Sequence, residues 1–213
     1  STSPASASRG ISCFLVEKGA PGFEIGRKEK KMGLRASDTR QLDFKDCRVP
    51  RSAMIGSLNG GFKIAMSLLD GGRVGIGAQA VGIAQAALDE AVSYAKARKQ
   101  FGRSISEFQL IQAKLADMAV GVDASRLLVR RAAARLAAGK RCTKEASMAK
   151  LFATVTANRV AYDAVQIHGG NGFVREFPVE RYFRDARAGE IYEGTSEIQR
   201  MIIAREVLRE RDE

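Results

Sequence analysis

Tryptophan is absent from this 213-residue sequence, and histidine occurs once, at His168. A histidine-built metal centre therefore cannot be assembled from this chain alone. The three cysteines, Cys13, Cys47 and Cys142, stand far apart and match no metal-ligand spacing. An odd count without a framework predicts reduced thiols in a cytosol-like compartment. No run of about 18 apolar residues is present, so no membrane-spanning helix is predicted. Residues 1–9 (STSPASASR) are small and polar and lack the apolar segment of a secretory signal. Residues 1–10 are read as a flexible tail or loop.

What is present is enough for a folded core: 45% of residues are hydrophobic. The formal charge of +11 suits nucleic acid, phosphate-bearing cofactors or a merely basic surface. The basic residues are scattered, without interleaved aromatics, so no nucleic-acid partner is predicted. Arg126, Arg130, Arg131 and Arg135 recur at helical spacing, which is the pattern of a solvated helix face.

Two halves differ in period. Residues 11–58 carry strand signals at Ile11–Val16 and Thr39–Val49, with Gly26, Gly33, Ser37 and Asp38 as turns between them. These strands are too few for an independent sheet. Residues 59–213 turn helical. Phe62, Ala65, Met66 and Leu69 follow one stripe, and Ile76, Ala80, Ile83 and Ala87 continue it. The pair Gly71–Gly72 weakens this helix by about 1 kcal/mol per glycine and points to a close approach there. A second stripe runs Phe108, Ile111, Leu115, Met118, Val122, Ser125, Val129, Ala132 and Leu136, opened by a Ser106/Gln109 capping box and closed by Gly139. A third helix spans about Thr143 to His168, with Met148, Phe152, Val155 and Tyr162 inward, and stops at Gly169 and Gly170. A short helix at about 178–186 and a last one from Ser196, with a Ser196/Gln199 capping box, complete a bundle. The predicted class is mainly α, a helical bundle preceded by a partial antiparallel β-domain.

The most informative stretch is Gly189–Gln199 (GEIYEGTSEIQ). Glu193 stands in a loop just before a helix start, Gly194 permits unusual backbone angles, and the helix N–H groups beyond suit an anion. By spacing alone a cap or surface charge describes Glu193 as well as a base does.

Ile191–Gln199 (IYEGTSEIQ), Arg98–Gly102 (RKQFG), Gln166–Gly172 (QIHGGNG) and Leu69–Arg73 (LDGGR) together resemble the acyl-CoA dehydrogenase family. The resemblance extends from Gly33–Pro50 (GLRASDTRQLDFKDCRVP) to Arg205, in family order. It implies an FAD-dependent dehydrogenase converting a short- or medium-chain acyl-CoA to a trans-2-enoyl-CoA. Glu193 matches the base that removes the α-proton, and Gly194 a neighbouring substrate contact. A solvated carboxylate is a feeble base towards carbon, and an apolar acyl chain beside it improves proton transfer. Some relatives carry the base on the first long helix, at the position of Gly72, which cannot serve. Asp70 and Arg73 match substrate-side residues, or form a helix ion pair.

The resemblance also implies the cofactor contacts. Arg98 and Gln109 match residues reaching the flavin pyrophosphate or adenosine from a neighbouring subunit, Gln109 having its cap role as the alternative. Phe101 packs on the cofactor or staples its loop. Gln166, Gly169 and Gly170 match the adenine-side loop, and Thr195 and Glu197 match flavin contacts. His168 is not expected to be catalytic. The partners implied are electron-transferring flavoprotein and further copies of the chain in a homo-oligomer, a tetramer in the family. The compartment implied is the bacterial cytoplasm or the mitochondrial matrix. Members are nearly twice this length, so the chain reads as a fragment or as a subunit whose other half is a second polypeptide. Rival readings are an acyl-CoA oxidase, a catalytically idle structural subunit and, on charge alone, a nucleic-acid binder.

Overall fold

The computed structural model describes residues 2–209 and contains two compact units, one of Ser1–Lys31 and Arg35–Leu69, the other of Met32–Leu34 and Asp70–Glu213. In the first unit, strands β1 (Cys13–Phe14) and β4 (Met54–Ile55) pair antiparallel, as do β2 (Phe23–Lys28) and β3 (Arg40–Phe44). The second ribbon shifts register between Ile25 and Lys28, and Phe23 stacks on Phe44 at 4.8 Å. Gly26, expected in a turn, lies inside β2 at this irregularity, where a β-carbon would press on the Gln41 carbonyl at 3.2 Å. Residues 4–10, expected as a tail, form a 3-10 segment whose Gly10 carbonyl accepts from the Thr2 and Ser3 amides.

No buried apolar residue among those described precedes Val74. Phe14, Ile25, Leu42 and Phe44 of the ribbons are exposed. A two-stranded ribbon is marginal by itself in water, so this apolar face needs a cover.

The second unit is built on helices. α1 (Gly61–Ala97) begins in the first unit and ends at a hairpin, β5 (Lys99–Gln100) and β6 (Arg103–Ser104). Phe101 and Gly102 form its turn with φ of 52° and 77°, positive at both central positions as a type I′ turn demands. Next come α2 (Gln109–Ala137), α3 (Thr143–His168), α4 (Val179–Ala186) and α5 (Ser196–Arg209). Helix α3 is central, packing on α2, α4 and α5.

The core is mostly alanine. Along α1 the buried line runs through Ala80, Ala84, Ala87, Ala91 and Ala95, and along α3 through Ala146, Ala149, Ala153, Ala157, Ala161 and Ala164. Small side chains let helix backbones approach closely, so the larger apolar groups of α3 are displaced from the interface. Phe152, Val155 and Tyr162, expected inward, are accordingly exposed. The stripe expected on α2 holds better: Met118, Val122, Ser125, Val129 and Ala132 are all buried.

The caps differ from expectation in register. Ser104 and Glu107 form the capping box, on a 3-10 turn ahead of α2, with the Ser104 amide donating to Glu107 Oε1 at 3.2 Å. Gln109 is then the first residue of α2, not a capping partner. At α5 the Ile198 amide donates to Thr195 Oγ1 at 3.5 Å, so Thr195 rather than Ser196 takes the capping position. Gly139, with φ of 64°, terminates α2 as expected.

At the far end of α3, the His168 ring stacks on Tyr94 at 4.1 Å and meets Phe177 edge-on, with Nδ1 2.8 Å from the Ala164 carbonyl. Burial pushes the imidazole below its ordinary pKa of 6.5, against the opposing pull of the Ala164 carbonyl and Glu90.

Three outcomes follow from this packing. Ala87→Leu, at a position with no exposure, is expected to lower unfolding free energy by about 1–3 kcal/mol in denaturant titration. Gly82→Ala, where an added β-carbon meets nothing within 4 Å, is expected to stabilise by about 0.5–1 kcal/mol. His168, neutral in the fold, contributes stability that is complete above its ordinary pKa of 6.5 and is lost as pH falls towards the lower folded value. Denaturant midpoints measured down through this range should fall less steeply for His168→Phe than for the parent.

Candidate active site

The loop between α4 and α5 is held in an uncommon backbone shape. A 3-10 turn (Arg187–Glu190) leads into it, with the Ile191 and Tyr192 amides donating to the Ala188 carbonyl. Glu193 then takes φ of 53° and Gly194 φ of 89°, two left-handed residues in succession. Glycine adopts this freely; a glutamate does so only when its surroundings enforce it.

The enforcement is visible. Gln199 Nε2 donates to the Glu193 carbonyl at 3.1 Å and to the Gly194 carbonyl at 3.0 Å. Lys150 on α3, with no exposed surface, donates from Nζ to the same Gly194 carbonyl at 2.7 Å. The Tyr192 hydroxyl donates to Gln79 Oε1 on α1, and burial raises its pKa, with Glu193 reinforcing and the Gln79 contact opposing. A side chain on Gly194 would collide with Gln199, its β-carbon standing 2.7 Å from Nε2.

The Glu193 carboxyl group reaches α1 at Gly72. A β-carbon there would stand 2.7 Å from Oε2 and 3.2 Å from Cδ. The close approach expected at Gly71–Gly72 is thus made by the candidate base itself. Beside it, Arg73 is 6% exposed and donates to Asp70 Oδ1 at 2.8 Å, while Thr143 Oγ1 donates to Asp70 Oδ2 at 2.7 Å. Asp70 and Arg73 therefore form the ion pair that was one of their two expected roles, inside the bundle rather than on its surface. Glu197, exposed in the first turn of α5, has its carboxyl pKa lowered by its own amide and by the Thr195 hydroxyl. This cluster is a carboxyl group against a bare backbone, with the Asp70–Arg73 ion pair on the same stretch of α1.

The other expected cofactor residues lie elsewhere. Arg98, Gly169 and Gly170 line a cavity of about 360 Å³ together with Gln100, His168 and Asn171. Nothing stands within 4 Å of a β-carbon at either Gly169 or Gly170, so a ligand can approach their backbone. Phe101 and Gln109 line a second, open recess of about 680 Å³, with Phe108 and Leu110. Phe101 is 90% exposed, touching Phe108 edge-on. Gln166 presents its side chain to solvent while its carbonyl accepts from the Gly169 amide. Thr195 and Glu197 alone of the eight belong with Glu193. Along α1, Gly72 and Ala97 are separated by about 38 Å of helix axis, so the structure does not gather all eight around one point.

Sequence reasoning missed Lys150, Gln79 and Thr143, and gave Gln199 only a capping role. The signal for Lys150 was available: it falls beside Ala146, Ala149, Ala153 and Ala157 on the small-residue line of α3, where a solvated lysine has no place. Among the described residues no group of three or more His, Cys, Asp or Glu could hold a metal ion, and the cysteines are free. No described helix is long and apolar enough to cross a membrane.

Residues 59–208 match the family described as acyl-CoA dehydrogenase, C-terminal domain. The chain is 53% identical over 209 residues to the mitochondrial short-chain specific acyl-CoA dehydrogenase of Mus musculus, covering 98% of this chain and 51% of that protein. The solved butyryl-CoA dehydrogenase of Megasphaera elsdenii superposes with a TM-score of 0.96 at 48% identity, over 97% of this chain and 54% of that one. A solved structure described as the electron transferring flavoprotein of Acidaminococcus fermentans also matches, with a TM-score of 0.96 at 50% identity, over 98% of this chain and 55% of that one. The chain thus spans about half the length of the relatives it matches. With a family match across most of its residues and a bundle whose loop sets Glu193 on Gly72, the chain belongs to the acyl-CoA dehydrogenase family.

Proposed function

We propose that this chain carries the base and part of the flavin site of a dehydrogenase that desaturates short- or medium-chain acyl-CoA thioesters between Cα and Cβ. The observation that carries the reading is the Glu193 carboxyl group lying against Gly72, held there by a loop whose own backbone is over-determined. A base for a carbon acid must stay aimed at one proton, since a C–H bond is too weakly polarised to hydrogen-bond the base into place. Gly72 keeps a side chain away from that carboxyl group, and Gly194 leaves room for the Gln199 amide that holds the loop.

FAD, when bound, supplies the acceptor for the hydride that leaves Cβ. The chain's residues fit such a group: Arg98 offers a fork-shaped cation for a pyrophosphate, and Gly169 and Gly170 offer open backbone. Thr195 and Glu197 lie by the reacting end, and Phe101, Gln109 and Gln166 by the remote end. The length of α1 between Gly72 and Arg98 exceeds the reach of one dinucleotide, which supports a flavin site completed by a second copy of the chain. A homotetramer, with electrons passing to an electron-transferring flavoprotein, agrees with this arrangement and with the flavoprotein match. In the same reading Asp70 and Arg73 shape the substrate side, their buried pair fixing the turn of α1 that carries Gly72.

Glu193→Gln in the flavin-loaded holoenzyme is expected to retain flavin and acyl-CoA binding. Its rate of flavin bleaching by substrate should fall by about 10²–10⁴-fold, the contribution of a general base. Bleaching at the parental rate would remove Glu193 from the reaction. Gly72→Ala should also slow bleaching with flavin content unchanged, because its β-carbon displaces the carboxyl group.

A further inference from the structure

Lysine is among the residues most rarely buried, yet Lys150 has no exposed surface and sits among the alanines of α3. Packing does not explain it, since a methionine would fill similar length without a charge to desolvate. Burial pushes its pKa down; Glu190, Glu193 and Glu197 oppose that shift and Arg73 reinforces it. What the ammonium does do is donate to the Gly194 carbonyl at 2.7 Å. Gln199, likewise without exposed surface, donates to that carbonyl and to the one before it. Two buried side chains from two helices thus converge on the only two consecutive carbonyls whose residues are both left-handed in this loop.

Released from these donors, Glu193 would relax towards negative φ, the conformation its side chain favours. Its carboxyl group would then swing off Gly72. We propose that Lys150 is a positioning residue for the Glu193 carboxylate, acting with Gln199 to hold the loop in the one backbone shape that sets the base against α1. The inference rests on the assignment of Glu193 as the base. Lys150 itself touches neither the reacting carbon nor the carboxyl group; it acts through the backbone.

The test compares Lys150→Met and Gln199→Met with Glu193→Gln, each in the flavin-loaded holoenzyme. Flavin reduction by saturating acyl-CoA is measured in stopped flow per bound flavin, alongside binding of an unreactive acyl-CoA. Both methionine variants are expected to reduce flavin about 10²-fold more slowly, the penalty of a misplaced base, with ligand affinity and rate per substrate occupancy separated as loss at saturation only. Losses that merely track flavin content, leaving the rate per bound flavin parental, would show a structural lysine and overturn the proposal. If Lys150→Met fails to load flavin, Gln199→Met decides on the same readout. Should Glu193→Gln be inactive while the methionine variants react at the parental rate, the base assignment stands and the positioning role falls. Should Glu193→Gln itself react at the parental rate, both fall.

Discussion

The site depends on a contact that only glycine allows: the Glu193 carboxyl group occupies the place where any other residue at position 72 would put its β-carbon. The contact joins a loop to a helix through an absence of side chain, so it constrains the carboxyl group by shape. The conformational cost falls on the loop, in two successive left-handed residues. It is offset by donors from α3 and α5 that satisfy the loop carbonyls. Gly72, Gly194, Lys150 and Gln199 are therefore one device, distributed over three helices and a loop.

That device needs helices that do not shift, and the alanine core supplies them. Lines of alanine on α1 and α3 bring backbones close, leaving little room for sliding. The same choice leaves Phe152, Val155 and Tyr162 on the outer face of α3, with Leu127 exposed on α2. Apolar groups in that position suit burial against other chains better than burial within this one. The ribbons of the first unit tell a parallel story, since their aromatic and aliphatic faces are uncovered within the chain.

Helix extents were legible in the sequence because long periodic segments ended by glycine leave little choice: Gly139 and Gly169 stop α2 and α3 where expected. Facing was less legible. Hydrophobicity favours Phe152 and Tyr162 as core residues over Ala153 and Ala161, whereas interhelical distance selects the alanines. Caps slipped because Ser-x-x-Gln and Ser-x-x-Glu overlap at residues 104–109, and only the 3-10 turn decides between them. Strand β2 was missed because charge and Gly26 interrupt its alternation. At the site, Glu193 and Gly194 could be picked out by motif, and Gly72 by its neighbouring glycine. Lys150 stood out only by its place on the small-residue line of α3, and Thr143 not at all, because their partners lie 44 and 73 residues away in the chain.

The residues proposed to hold the cofactor divide between the two ends of α1, so chemistry at one end would call for contacts that this chain places at the other. The proton removal proposed for this loop, by contrast, is local to Glu193 and Gly72. It is isolated by giving the holoenzyme, in deuterated water, an acyl-CoA whose β-carbon bears no hydrogen, so that only the α-position can react. Deuterium is expected to enter the α-carbon with the parent enzyme and not with Glu193→Gln. Exchange that persists without the carboxyl group, or that fails to occur in the parent, would contradict it.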